Sequence, residues 1–169
     1  MTLNLLDLLA AKEARAHRQE QLCQQFKQTL VSLTLNIPGA NKTPTGSEQL
    51  LNWASRQLSF QFTLSYRQKY PLVTGFEILL VINAPALEVK IFAQQLEETN
   101  DFCRLLDIDV FTNTYQRLSL RPQGRTCFFC NRPASLCIRE QTHQLAELQA
   151  YSQTLLQKFL TRHCAVPNR

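Results

Sequence analysis

Apolar residues recur along this chain with two different periods, and the switches between them predict its elements. Over residues 3–28, Leu5, Leu6, Leu9, Ala10 and Ala14 fall at three-to-four spacing, and Lys12, Arg15, Arg18 and Lys27 take polar positions, which predicts a helix. From Thr29 to Ile37 the period drops to two: Leu30, Val31, Leu33, Leu35 and Ile37 alternate with Ser32, Thr34 and Asn36, which predicts a strand. Pro38-Gly39 ends it, and Asn41 to Gly46 is a loop. Ser47 is an N-cap candidate for a helix carrying Leu50, Leu51, Trp53, Ala54 and Leu58.

Two aromatic and β-branched stretches follow, Phe60 to Tyr66 and Leu72 to Ile82, with Tyr70-Pro71 between them as the expected turn of a hairpin or meander. Pro85 stands where a helix tolerates proline, and that helix is expected to run to about Glu98 with Leu87, Ile91, Phe92 and Leu96 on one face. A strand from Leu105 to Phe111, a return strand from Gln116 to Leu120, a cysteine-rich knot at 125–137 and a helix over about 141–162 complete the chain. The succession predicts an α+β fold, an antiparallel sheet with a ferredoxin-like βαββαβ core and flanking terminal helices. One domain is expected over 1–169: an N-terminal helix (1–28), an α+β core (29–121), a Cys/His cluster (125–143) and the last helix (141–162).

Leu105 to Phe111 breaks its own pattern. In a strand, Asp107 and Asp109 share one face and Leu106, Ile108 and Val110 share the other. Two carboxylates at that spacing repel unless water solvates both or a positive charge lies between them. They are either solvated on the open side of a half-covered sheet, or a divalent-cation site. Carboxylate oxygens suit Mg²⁺, which takes one or two of them together with phosphate oxygens and water. Arg104 immediately upstream, with Lys42, Arg121 and Arg125 near strand ends, supplies the cations that phosphoryl transfer needs.

Composition narrows the rest. With 44% apolar and 18% charged residues in 169, the chain reads as an ordinary globular domain, and its net charge of +5 favours phosphate-rich ligands or an acidic partner. No apolar run reaches the roughly 20 residues that span a bilayer. The opening carries Asp7 inside its apolar segment and lacks a basic n-region, so it does not read as a secretory signal. The six cysteines are therefore expected to be free thiols or metal ligands in the cell interior. Cys127, Cys130, Cys137 and His143 form Cys-x2-Cys-x6-Cys-x5-His, a donor set for a closed tetrahedral Zn²⁺. The alternative is three small buried thiols with His143 opening a helix. Cys23 and Cys164 look incidental, and His17 and His163 are expected at the surface.

Cys103-Arg104-Leu105-Leu106-Asp107-Ile108-Asp109-Val110, together with Cys127-Phe128-Phe129-Cys130, Cys137 and Thr142-His143-Gln144-Leu145, resembles the apo-citrate lyase phosphoribosyl-dephospho-CoA transferase family. Lys12, Arg15 and Gln19 look like that family's basic first helix, and Pro38, Gly39 and Lys42 like its Pro-Gly-x-x-Lys loop. The resemblance implies a cytoplasmic nucleotidyltransferase. Such an enzyme moves a phosphoribosyl-dephospho-CoA group from 2'-(5''-triphosphoribosyl)-3'-dephospho-CoA to a serine of the acidic citrate lyase acyl carrier subunit, releasing pyrophosphate. On it, Asp107 and Asp109 hold Mg²⁺ and one of them takes the serine proton. Arg104 joins them as catalytic, and Lys42, Arg15, Arg121 and Arg125 bind phosphate. One departure stands out: the family pattern His-Pro-Leu-Gly before the arginine is here Asn100-Asp101-Phe102-Cys103. A weakened relative that only binds the carrier is one alternative, and a nucleic-acid binding module is another. Two acids on the central strand argue against an RNA-binding sheet.

Overall fold

The structure, a computed structural model, describes residues 5–163. The helix start expected at residue 3, and Cys164, lie outside them. Elements run α1 (Leu5–Phe26), β1 (Thr29–Leu35), α2 (Ser47–Gln61), β2 (Leu64–Leu72), β3 (Gly75–Ile82), α3 (Ala86–Glu98), a 3-10 turn (Asp101–Leu105), β4 (Leu106–Phe111), β5 (Arg117–Leu118), α4 (Ala134–Glu140) and α5 (Leu145–His163). The fold is α+β, built on a five-stranded sheet in the order β2-β3-β1-β4-β5 with every pairing antiparallel. No helix among the described residues is long and apolar enough to cross a membrane.

The period-two alternation of the strands divides the core. Val31 and Leu33 of β1, Ile78 and Leu80 of β3, and Leu106, Ile108 and Val110 of β4 pack under α2, α3 and α5. The opposite residues, Leu30, Leu79, Val81 and Phe111, meet Leu22 and Cys23 of α1. Among the described side chains of α1, this packing comes from its second half, and Leu6 and Leu9, part of the expected apolar face, are exposed.

Boundaries differ from the expected ones for identifiable reasons. Phe60 belongs to α2, whose end is capped by the Phe62 N–H donating to Leu58. Gly46, with φ 94°, takes the N-cap position expected of Ser47, and an added Cβ there would crowd Leu156 and Leu160. Tyr70 and Pro71 lie inside β2, an edge strand that tolerates a residue without an N–H, and the chain turns at Val73-Thr74. The return strand shrinks to Arg117–Leu118. Helix α4 ends at Glu140, and the left-handed backbone of Gln141 (φ 49°) starts a break before α5, so 141–144 are not helical.

Candidate active site

Strand β4 answers the question its sequence raises. Asp107 and Asp109 project from the face opposite the main core, across from Thr34 and Ser32 of β1. Both remain partly open to solvent, with side-chain exposures of 39% and 26%. Each has its own cation. Arg125 donates from Nη1 to Asp107 Oδ1 at 2.9 Å, and Arg117 of β5 donates from Nε to Asp109 Oδ1 at 2.8 Å. The repulsion between the two acids is thus offset by a guanidinium on each. Burial still pushes the Asp109 carboxyl up, the neighbouring Asp107 charge adds to that, and Arg117 pulls it back.

The outer edge of β4 is closed by side chains instead of a full strand. Residues 106, 108 and 110 turn their backbone groups toward β5, which pairs only at Val110 and Phe111. For the remainder, Glu97 Oε1 accepts the Ile108 N–H at 2.9 Å, Lys90 Nζ donates to the Ile108 carbonyl at 2.9 Å, and Arg125 Nη2 donates to the Leu106 carbonyl. Glu97 is 3% exposed and also holds Arg121 (2.8 Å) and Arg125 (3.7 Å). Burial draws the Lys90 ammonium down, opposed by the charges of Glu97 and Asp109. These groups fix the segment that carries the aspartates, since an unpaired buried amide is costly.

A second carboxylate anchor lies on the same sheet face. Glu77 of β3 is fully buried and accepts from Ser32 Oγ (2.9 Å) and Gln19 Nε2 (3.1 Å), with Arg15 Nε at 3.3 Å and Arg18 Nη2 at 3.4 Å. Ser32 is also the cross-strand partner of Asp109, so α1 brings two arginines to the aspartate side of the sheet.

The expected phosphate ligands therefore occupy different stations. Arg125 is at Asp107, and Arg121 pairs with Glu97 and Glu98 one step outward. Arg15 reaches the face through Glu77. Lys42 is farther along the β1–α2 loop, its ammonium donating to the Ile37 carbonyl at 2.6 Å and drawn down by burial. Arg104 turns toward the cysteine-rich segment, donating to Thr126 Oγ1 (3.1 Å) and the Cys127 carbonyl (2.6 Å). Cys103 is fully buried in the main core, away from the aspartate face, with its thiol pushed up to about 11 by that burial.

Segment 122–144 has little regular structure and is held by a few backbone bonds. Cys127 donates to Arg132, and Ala134 donates to Arg125, both at 2.8 Å. The break at Gln141 brings His143 back over α4. The donor atoms of Cys127, Cys130, Cys137 and His143 then all lie within 4.8 Å of one another, with Cys130 Sγ 3.5 Å from Cys137 Sγ and 3.3 Å from His143 Nε2. That spread suits one ion with sulfur at about 2.3 Å and nitrogen at about 2.0 Å. The four residues can hold a metal ion. The Cys130 thiol is drawn down to about 7, first by the Arg132 backbone N–H, while burial and the neighbouring thiols push Cys137 up to about 11. The five described cysteines are free thiols.

A family model for apo-citrate lyase phosphoribosyl-dephospho-CoA transferase matches residues 3–159. This chain belongs to that family. Among its relatives is a probable apo-citrate lyase phosphoribosyl-dephospho-CoA transferase of Streptococcus pyogenes, 28% identical over 95% of this chain and 88% of the relative. The apo-citrate lyase phosphoribosyl-dephospho-CoA transferase of Escherichia coli is 32% identical over 89% of this chain and 86% of its own. A Haemophilus influenzae protein named CitXG is 32% identical over 92% of this chain, which covers 35% of it. The match makes this chain an enzyme of a transferase family.

In this family member, four residues central to the site carry only faint sequence signals. Glu77 is the lone charge inside the run Phe76 to Ile82. Lys90 and Glu97 interrupt the apolar face of α3 seven residues apart, and Arg117 sits in a two-residue strand. Each could have been noticed as a charge where burial was expected.

Proposed function

We propose that this protein transfers a phosphoribosyl-dephospho-CoA group from its triphosphoribosyl precursor to a serine of the citrate lyase acyl carrier subunit, as a cytoplasmic nucleotidyltransferase. The observation that carries this reading is the placement of Asp107 and Asp109 side by side on a half-open sheet face, bordered by arginines from β5, α1 and the segment after β5. The pair would hold Mg²⁺, which supplies charge neutralisation on the triphosphate when bound. Arg117 and Arg125 then have a second use: as the acids engage a cation, the guanidiniums are released toward phosphate oxygens.

The chemistry is a displacement at the α-phosphorus. The serine hydroxyl oxygen forms the new P–O bond while the bond to the bridging oxygen breaks. Pyrophosphate leaves with that electron pair, and the serine proton passes to an aspartate. Asp109, the carboxyl raised by burial, suits the base. Arg104, Arg121, Arg15 and Lys42 balance the charge on the leaving group and on the precursor's other phosphates. Cys103, in the position of the family glycine, points into the core and leaves the site open.

Zinc is the ion we assign to the Cys3His cluster, in a structural role, because the set closes with no free position for a reacting group. Intact-mass analysis of apo-carrier incubated with the protein, the precursor and Mg²⁺ tests the function. The carrier is expected to gain the mass of the prosthetic group, and no gain under conditions where the Escherichia coli relative produces one contradicts the reading.

A further inference from the structure

A cavity in the structure does not lie over the aspartates. It lies beside them, between the β1–α2 loop, the cysteine-rich segment and the start of α5, and has a volume of about 690 Å³. That is the size of pocket that encloses a cofactor-sized ligand. Its walls differ in character. Arg104 and Arg125 stand on one side, and Phe128, Ile138, Leu145 and Leu148 supply apolar surface. Ile138 and Leu145 are 77% and 55% exposed, a cost that an apolar ligand would remove. One residue is common to the cavity and the site already described: Arg125 lines the cavity and holds Asp107 at 2.9 Å.

We infer that this cavity binds the dephospho-CoA part of the precursor, its diphosphate against Arg104 and Arg125 and its pantetheine arm along Phe128, Ile138, Leu145 and Leu148. The inference rests on the proposed function for the identity of the ligand. The lining argues for it independently: an arm that alternates short hydrocarbon stretches with amides and ends in a diphosphate matches a cavity with apolar and amide-bearing walls and two guanidiniums. The arrangement leaves the triphosphate end of the same molecule next to Asp107. It also gives the cluster a second role. Cys127, Cys137 and His143 form part of the cavity wall, so whatever ion closes them also shapes the place where the arm lies.

The test is calorimetric titration of the full chain with dephospho-CoA, using the wild type, Ile138→Trp and Leu145→Glu. Both substituted residues are exposed, so neither change threatens the fold, and their melting temperatures are expected to match the wild type. The bulky ring narrows the cavity, and the new carboxylate puts a charge on the apolar wall where the arm would lie. Each variant is expected to lose about tenfold or more in affinity. Wild-type affinity in both variants, or no binding to the wild type, overturns the inference. The proposed function is read separately, from carrier modification by the wild type. If the carrier is modified while both variants bind dephospho-CoA unchanged, only the cavity assignment fails. If dephospho-CoA binds as expected while the carrier is never modified, only the reaction fails.

Discussion

Two regions carry chemically capable side chains, and they are built in opposite ways. The aspartate face is imposed by the sheet. β4 is hydrogen-bonded to β1 along Leu106 to Phe111, its other edge is closed by Lys90, Glu97 and Arg125, and Asp107 and Asp109 have no freedom to leave the face they share. The cysteine-rich segment has little regular structure, a seven-residue helix and one isolated β-bridge (Thr126 with Pro133), and is tied to the rest by Arg104 and by Phe128 and Phe129 against Tyr151. Its four donors converge within 4.8 Å although the backbone around them is irregular. One site is positioned by the fold; on the zinc assignment proposed above, the other would be held by the ion that its four donors can take. The two should therefore respond to mutation in opposite ways, the first losing chemistry without stability and the second losing local structure first.

The largest effect is expected at the first region. Asp107→Asn and Asp109→Asn should each lower carrier modification by about a thousandfold or more, because charge neutralisation at phosphorus is most of the catalysis. Their melting temperatures should stay near the wild type, since each side chain is partly solvent-exposed and packs outside the main core. A matching fall in stability would erase the contrast.

Next comes the cluster. Cys137→Ser should take metal content, read by elemental analysis, from about one zinc per chain to below about 0.2. Limited proteolysis should then cut within 122–144 while the sheet survives. Global unfolding of Cys137→Ser would show instead that the sheet depends on the cluster.

Smaller again is Glu97→Ala. The change strips the acceptor from the Ile108 N–H and the carboxylate from Arg121, at a cost of about 1–3 kcal/mol in denaturant titration. Because Glu97 works through the β4 edge and Arg125, turnover should fall with it even where the protein remains folded.

The smallest effect is a displacement of the pH profile. Asp109 must be ionised to bind a cation or accept a proton, and burial with the Asp107 charge already holds its carboxyl above the usual range. Arg117 lowers it, through its charge and its hydrogen bond. Arg117→Ala removes that opposition, so the acid limb of the rate profile should move to higher pH. Movement to lower pH would mean that another group sets the limb.

The sequence disclosed the parts of this molecule that obey a period. The alternation in β1 and β4 identified which residues face the core, and with it the shared face of Asp107 and Asp109. The spacing of Cys127, Cys130, Cys137 and His143 identified four residues that the fold brings together. What stayed hidden depends on pairing between distant segments. That Arg125 belongs to Asp107 and Arg117 to Asp109 follows from where the chain goes after β4, which no local pattern encodes. Glu77 meets Arg15 and Arg18 across about 60 positions, again a property of topology. The break at Gln141 was missed because a non-glycine residue in left-handed backbone leaves no compositional trace.

On the proposed reaction, the paired acids of β4 hold a divalent cation under a chain of phosphates. Titration with Mn²⁺, a spin-active substitute for Mg²⁺, followed by electron paramagnetic resonance in the presence of pyrophosphate, tests it most directly. The wild type should take up one ion per chain with a phosphate-dependent affinity, and Asp101→Asn, an exposed acid paired with Lys158, should behave the same. Asp107→Asn and Asp109→Asn should lose that ion. Equal uptake by the wild type and both of those variants would contradict the account.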